Sequence, residues 1–304
     1  MKNKFLPFLF LLMAVISCDN YEEVTPDGPG DSIDVGTGFY SFDYQTSDSE
    51  VDMEVFYHVP DADITTMPIL FVLHGAGRNA VEYRNAWIEE AETKEFIVVT
   101  PKFSSFDFPG GDAYNLGNVF EDGDNPSAST LNPEQDWTYS IIESLFDDVK
   151  SQLGNLSGTY NVFGFSAGGQ FAHRFLMFKP NSRVNKVISS ASGWYTVPDG
   201  NIEFPYGIDN SPIENTPSSV YFSKQMTIQI GTLDNDPNAS ALRRNPTVDQ
   251  QGTNRYDRAY HMFNRSKAIA EDFDVPFNWQ IIETPGNAHN NRGAVEQAAE
   301  VLFD

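Results

Sequence analysis

Tyr160-Asn161-Val162-Phe163-Gly164-Phe165-Ser166-Ala167-Gly168-Gly169-Gln170-Phe171 is the stretch that decides the fold. An apolar, β-like run leads into Gly164-Phe165-Ser166-Ala167-Gly168, and a helix-like segment, 169–179, follows. A serine hydroxyl is a poor nucleophile unless the backbone lifts it clear of its neighbours and a base takes its proton. Glycines two residues before and two after the serine let a strand turn sharply into a helix, with Oγ exposed at the tip. A glycine-rich surface turn can show the same five residues. Strand before and helix after separate the two readings, and both are present.

Outward from this turn, patterns of the same two kinds alternate. Residues 39–44 and 51–59 alternate apolar and polar positions about a polar turn at 46–49, which predicts an antiparallel hairpin. Residues 69–73 and 96–100 are continuous apolar runs, as in strands buried on both faces of a parallel sheet. Further strands are expected at 184–192, 226–230 and 279–283, and helices at 79–94, 135–153, 254–273 and 290–303. Residues 103–133 are rich in Gly, Pro, Asp, Asn and Ser without periodicity, and loops of that length in a domain tend to be functional; residues 196–224 are Pro-rich and irregular. The expected architecture is α/β: a mostly parallel central sheet with helices on both faces and an N-terminal antiparallel hairpin.

No repeat or change of composition marks an internal border, so residues 38–304 are expected to form one catalytic domain. Residues 1–17 read as a lipoprotein signal peptide, with Lys2 and Lys4 ahead of the apolar run Phe5 to Ile16, which is too short to span a bilayer. It ends in Val15-Ile16-Ser17-Cys18, which resembles a bacterial lipobox. Cys18 is the only cysteine, so no intramolecular disulfide can form, and a lone thiol at this place suits an acyl acceptor. Residues 18–37, acidic and rich in Pro and Gly, read as a flexible tether. The expected location is the bacterial cell envelope, lipid-anchored through Cys18 at the outer membrane or cell surface.

The 304 residues carry a formal charge of −24, which repels nucleic acid and anionic lipid and argues against both as partners. With 40% hydrophobic and 13% aromatic residues, the chain can build a sizeable core.

Ser166 needs a base, and there are five histidines. His58 falls inside an alternating strand, while His173 and His261 fall inside helices, places that seldom host a hydrolase base. His289 lies in a loop just beyond the last strand, and catalytic groups in open α/β sheets collect at the carboxyl ends of strands. An acid is needed to fix the tautomer of the base. Asp234, three residues after Gly231 and also just past a strand, is the first choice, with Asp236 as the alternative. The backbone amides of Ala76, in His74-Gly75-Ala76-Gly77, and of Ala167 are nominated as oxyanion donors, with His74 bracing its loop. Trp194, Tyr195 and Phe103 follow strands at the same edge and are expected to line a substrate pocket. Arg243, Arg244, Arg255 and Arg258 would either grip an anionic substrate or form internal ion pairs. Glu121 to Asn125 is acidic, but its spacing fits no EF-hand, and no metal site is assigned.

With those residues placed, the chain resembles bacterial α/β-hydrolase serine esterases of the polyhydroxybutyrate depolymerase and feruloyl esterase group. The likeness spans residues 38–303 and rests on four stretches: His74 to Asn79, Gly164 to Phe171, Gly231 to Pro237 and Pro285 to His289. Phe165 departs from it, standing where many relatives carry histidine. The resemblance implies an α/β-hydrolase fold, the order nucleophile–acid–base, and two-step acyl transfer on a carboxylic ester, small or polymeric. It implies neither cofactor, metal nor partner protein. A serine peptidase on the same fold, and a catalytically silent surface lipoprotein that binds glycan or polymer, are the alternatives.

Overall fold

The computed structural model describes Gly30 and residues 32–304; the signal segment, Cys18 and the first part of the tether lie outside the described residues. In chain order the hairpin β1 (Gly36–Gln45) and β2 (Glu50–Val59) precedes β3 (Ile69–Leu73), α1 (Ala80–Ala86), α2 (Ile88–Lys94) and β4 (Ile97–Pro101). Next come α3 (Ser140–Leu153), β5 (Tyr160–Phe165), α4 (Ala167–Phe178), β6 (Val184–Ser190) and α5 (Ser218–Phe222). The chain closes with β7 (Gln225–Gly231), α6 (Arg255–Asp272), β8 (Trp279–Thr284) and α7 (Arg292–Phe303).

The strands form one eight-stranded sheet in the order β1-β2-β4-β3-β5-β6-β7-β8. β1 pairs antiparallel with β2 and β2 antiparallel with β4, while every pair from β4 through β3 to β8 is parallel. Composition dictates this arrangement. Along β1 the buried residues Tyr40, Phe42 and Tyr44 alternate with half-buried or exposed ones, as on an edge strand. β3, β4 and β5 are buried at every position, because helices cover both of their faces. The sequence therefore predicts the class of fold correctly: α/β, mostly parallel, opened by an antiparallel hairpin.

Four boundaries differ from expectation, each for a local reason. The helix expected over 79–94 is broken into α1 and α2 at Trp87, whose fully buried indole packs edge-on against Phe96 and Phe163. α3 starts at Ser140 rather than 135, since Trp137 takes an extended backbone to bury its ring and donates its indole N–H to the Asn132 carbonyl at 2.9 Å. The short helix α5, entered at Pro217, lies inside the stretch expected to be wholly irregular. The domain also begins before residue 38. Ile33 is buried, its N–H donates to Gln152 Oε1 at 2.9 Å, and the Gly30 N–H reaches the Phe39 carbonyl at 3.0 Å.

Candidate active site

The site begins with a backbone problem solved at Ser166. Its φ of 58° and ψ of −114° place it outside the regions an L-residue prefers, and the two flanking glycines are what permit that turn. A β-carbon on Gly164 would lie 2.0 Å from the Gly168 carbonyl oxygen, and one on Gly168 would lie 2.0 Å from the Leu73 oxygen. Strand β5, helix α4 and the end of β3 thus meet closer than any side chain allows. The Ser166 N–H donates to the Ser190 carbonyl of β6 at 2.9 Å, which pins the turn to the neighbouring strand.

Two loops at the same carboxyl edge of the parallel strands bring the other groups. The loops after β7 and β8 are joined by three hydrogen bonds: Thr232 N–H to the Thr284 carbonyl at 3.1 Å, Leu233 N–H to the Asn287 carbonyl at 2.9 Å, and Gly286 N–H to Thr232 Oγ1 at 2.9 Å. Asp234 and His289 sit at the end of this splice. His289 Nδ1 lies 2.7 Å from Asp234 Oδ2, and its Nε2 lies 3.0 Å from Ser166 Oγ. A carboxylate only accepts, so Nδ1 carries the proton and Nε2 is free to accept the hydroxyl proton. The carboxyl of Asp234 is buried, whereas the imidazole is partly exposed. Phe165, buried beside the serine, packs its ring 4.9 Å from that of His289.

Asp236 is an exposed residue whose Oδ1 accepts the Asn238 N–H at 2.8 Å, so of the two candidate acids only Asp234 meets the imidazole. The other oxygen of Asp234, Oδ1, takes Arg255 Nη1 at 3.2 Å, and both partners of this ion pair are buried. The remaining three arginines of the cluster likewise pair internally: Arg243 with Asp124, and Arg244 and Arg258 with Asp249. The choice between substrate grip and internal pairing therefore falls to pairing. The contact of Arg255 with the acid was the part no spacing announced.

Three of the remaining histidines serve structure, and His261 lies within α6 as expected. His74 is fully buried; its Nε2 accepts the Phe103 N–H at 3.1 Å, which leaves Nδ1 to donate to the Gly75 carbonyl at 3.0 Å. Burial drives its pKa down to about 4, so it is a neutral brace. His173 repeats the pattern, accepting from Thr196 N–H and donating to the Gly169 carbonyl, and burial holds it well below the usual histidine range. His58, also lowered by burial, bridges Thr37 and Glu92 at the sheet edge.

The turn braced by His74 lies against the serine: a methyl group on Gly75 would come within 3.7 Å of Ser166 Cβ. Ala167 is the first residue of α4, so its N–H belongs to the donors that a helix start leaves free. Neither the Ala76 nor the Ala167 amide donates to another group among the described residues.

The expected pocket residues need correction. Phe103 and Tyr195 are both 0% exposed and Trp194 is 5% exposed, so none lines a cleft open to solvent. Phe103 fills the space between His74, Phe108, Tyr114 and Phe171. Tyr195 packs on His173, and Trp194 lies under the guanidinium groups of Arg174 and Arg243. An aromatic after a strand was core closure in each case. The long loop over 103–133 instead supports the site from behind: Arg78 donates to the carbonyls of Phe103, Phe108 and Gly110, the Tyr114 hydroxyl donates to the His74 carbonyl, and Asn115 Nδ2 donates to Gln170 Oε1, one turn past the serine. Among the described residues no group of three or more His, Cys, Asp or Glu side chains could hold a metal ion. Nor is any described helix long and apolar enough to cross a membrane.

Fold and site together define a hydrolase built on the α/β-hydrolase fold. Comparison with solved structures supplies the relatives. The chain is 35% identical to poly(aspartic acid) hydrolase-1 from Sphingomonas sp. KT-1, with a TM-score of 0.82 over 90% of this chain and 100% of that one. It is 27% identical to LpqC, a poly(3-hydroxybutyrate) depolymerase from Bordetella parapertussis, with a TM-score of 0.81 over 89% and 91%. An S-formylglutathione hydrolase from Agrobacterium tumefaciens shares the fold at 14% identity and a TM-score of 0.53, over 89% and 95%. No protein-family model and no curated protein sequence matches. The chain belongs to the bacterial α/β-hydrolase esterase group in which poly(aspartic acid) hydrolase-1 and the LpqC depolymerase fall.

Proposed function

We propose that the protein is a serine esterase that cleaves carboxylic esters through an acyl-enzyme on Ser166. The single observation that carries this reading is the continuous relay from Ser166 Oγ to His289 at 3.0 Å and on to Asp234 at 2.7 Å. In the first step Oγ attacks the ester carbonyl while His289 Nε2 takes the hydroxyl proton; Asp234 stabilises the imidazolium through Nδ1–H. The tetrahedral oxyanion is held by the N–H groups of Ala167 and Ala76, donors of a kind worth about 3 kcal/mol each in the transition state. His289 then protonates the departing alcohol, and water, activated by the same imidazole, releases the acid.

Amide hydrolysis is the second reading, because the 35% identical relative acts on poly(aspartic acid), a polymer joined by amide bonds. The charge of −24 opposes it for that substrate, since a polyanion approaching so acidic a surface is repelled. The same proposal puts the site outside the cytoplasm, tethered through Cys18; palmitate incorporation that persists in Cys18→Ser would contradict the tether.

The decisive experiment is fluorophosphonate labelling together with turnover of p-nitrophenyl esters and peptide anilides. The expected outcome is labelling lost in Ser166→Ala, with ester turnover and inert anilides. Anilide cleavage would favour the peptidase, and an unlabelled, inert wild type would favour a binding module.

A further inference from the structure

We propose that Arg255 is a positioning residue of this site: its guanidinium fixes the Asp234 carboxylate in the orientation that serves His289 and tempers the negative charge felt by the imidazole. The inference rests on the triad reading given above.

Three observations carry it. First, the two oxygens of Asp234 are divided between two donors, Oδ2 to His289 at 2.7 Å and Oδ1 to Arg255 at 3.2 Å, so rotation of the carboxylate would break both contacts. Second, Arg255 is itself held in place. It is the first residue of α6, whose start is capped by Asn254 accepting the Asp257 N–H at 2.9 Å. The next residue, Tyr256, donates its N–H to the Asp234 carbonyl at 3.1 Å. Backbone and side chain of the acid are thus both gripped by one helix start. Third, the guanidinium is buried, although its Nε–H finds no acceptor among the described residues. Burying an imperfectly paired cation is costly, so its place against Asp234 needs a compensating role.

The electrostatic setting is simple. Among the described residues, Arg255 is the cation other than His289 within ion-pair distance of Asp234. From the loop after β6 the fully buried Tyr195 phenol faces Asp234, its pKa raised by burial so that it stays neutral. Arg258 neighbours Arg255 but, with Arg244, is engaged by Asp249. Phe165 covers the imidazole without charge. A fixed positive charge on the far side of the carboxylate disfavours the imidazolium. Removing it lets His289 hold its proton to higher pH, where it cannot act as base.

The test is kcat/KM for p-nitrophenyl acetate from about pH 5 to about pH 9 in wild type, R255Q, R255K and, as a control, R244Q, alongside thermal melting of each. In R255Q the acid limb is expected to move to higher pH. R255K keeps the charge and so keeps the limb, but loses the fixed fork, and its kcat falls about tenfold with KM unchanged. R244Q follows wild type. A lower Tm in both Arg255 variants, with the pH profile and kcat of wild type, would show that Arg255 only supports the fold and would overturn the proposal. Should R255Q fail to fold, R255K with undiminished kcat overturns it alone. A wild type inert to both ester and fluorophosphonate would instead defeat the parent reading.

Discussion

Ser166 stores backbone strain of about 1–3 kcal/mol, and with it the turn presents the hydroxyl to His289 at 3.0 Å. The choice of base followed from the sequence: strand and helix positions set aside His58, His173 and His261, and His74 read as a brace of its own loop. The structure shows why His74 and His173 do not serve as base: each spends both ring nitrogens on backbone groups. For the acid the sequence put Asp234 first and kept Asp236 as the alternative, since a loop of unknown curvature can present either carboxylate. Asp234 turns inward through its N–H bond to the Gly231 carbonyl at 3.1 Å, while Asp236 turns outward to cap Asn238. Asp234→Asn is therefore expected to lower kcat by about 10⁴-fold, because the amide favours the wrong imidazole tautomer. Asp236→Asn is expected to stay within about twofold of wild type, as a surface change should. Steady-state kinetics on a p-nitrophenyl ester checks both, and equal losses would mean the acid has been misassigned.

At the scale of elements, the strand–turn–helix unit β5–Ser166–α4 is the rigid part on which the other loops converge. Gly168 sits where α4 crosses the end of β3, and the atoms a methyl group would meet there are backbone oxygens that cannot swing away. Gly168→Ala is expected to destabilise by about 1–3 kcal/mol or more and to lower fluorophosphonate labelling, as the elbow opens to relieve the clash. Gly158→Ala, with nothing within 4 Å of its added carbon, serves as the matched control and should melt like wild type. Elements such as β3, β4 and the body of α3 were legible because hydrophobic pattern and burial agree there. Most of what was not legible shares one cause. The break at Trp87, the late start of α3 and the burial of Phe103 and Tyr195 all depend on which partner an aromatic ring meets across the fold. A one-dimensional pattern records that a ring is apolar, not whether it closes a core or lines a cleft. Arg255 was hidden for the same reason, since its partner lies twenty-one positions away.

At the scale of the whole molecule, the buried neutral histidines tie stability to pH. His74 is fully buried, with a pKa near 4 in the folded state against 6.5 for the free side chain. The unfolded chain thus binds the proton more readily, so the contribution of this group is complete above about pH 6.5 and is lost as pH falls toward about 4. The loss is on the order of 3 kcal/mol for His74, and His173, held well below the usual range by burial and by the neighbouring Arg174, adds to it in the same direction. Both histidines brace the segments that carry the site, one at the Gly75 turn and the other at the Gly169 carbonyl of α4, so acid should loosen the site as it unfolds the domain. The expected outcome is a folding free energy that falls steadily from about pH 6.5 to about pH 4.5, with net proton uptake on urea unfolding at about pH 5.5. His173→Gln should take up about one proton fewer than wild type under the same conditions, because in the unfolded wild-type chain that imidazole is mostly charged. Titration of the two proteins through the unfolding transition measures the difference directly. Equal uptake would mean that His173 is already protonated in the folded protein, which would contradict its acceptance of the Thr196 N–H at 3.1 Å.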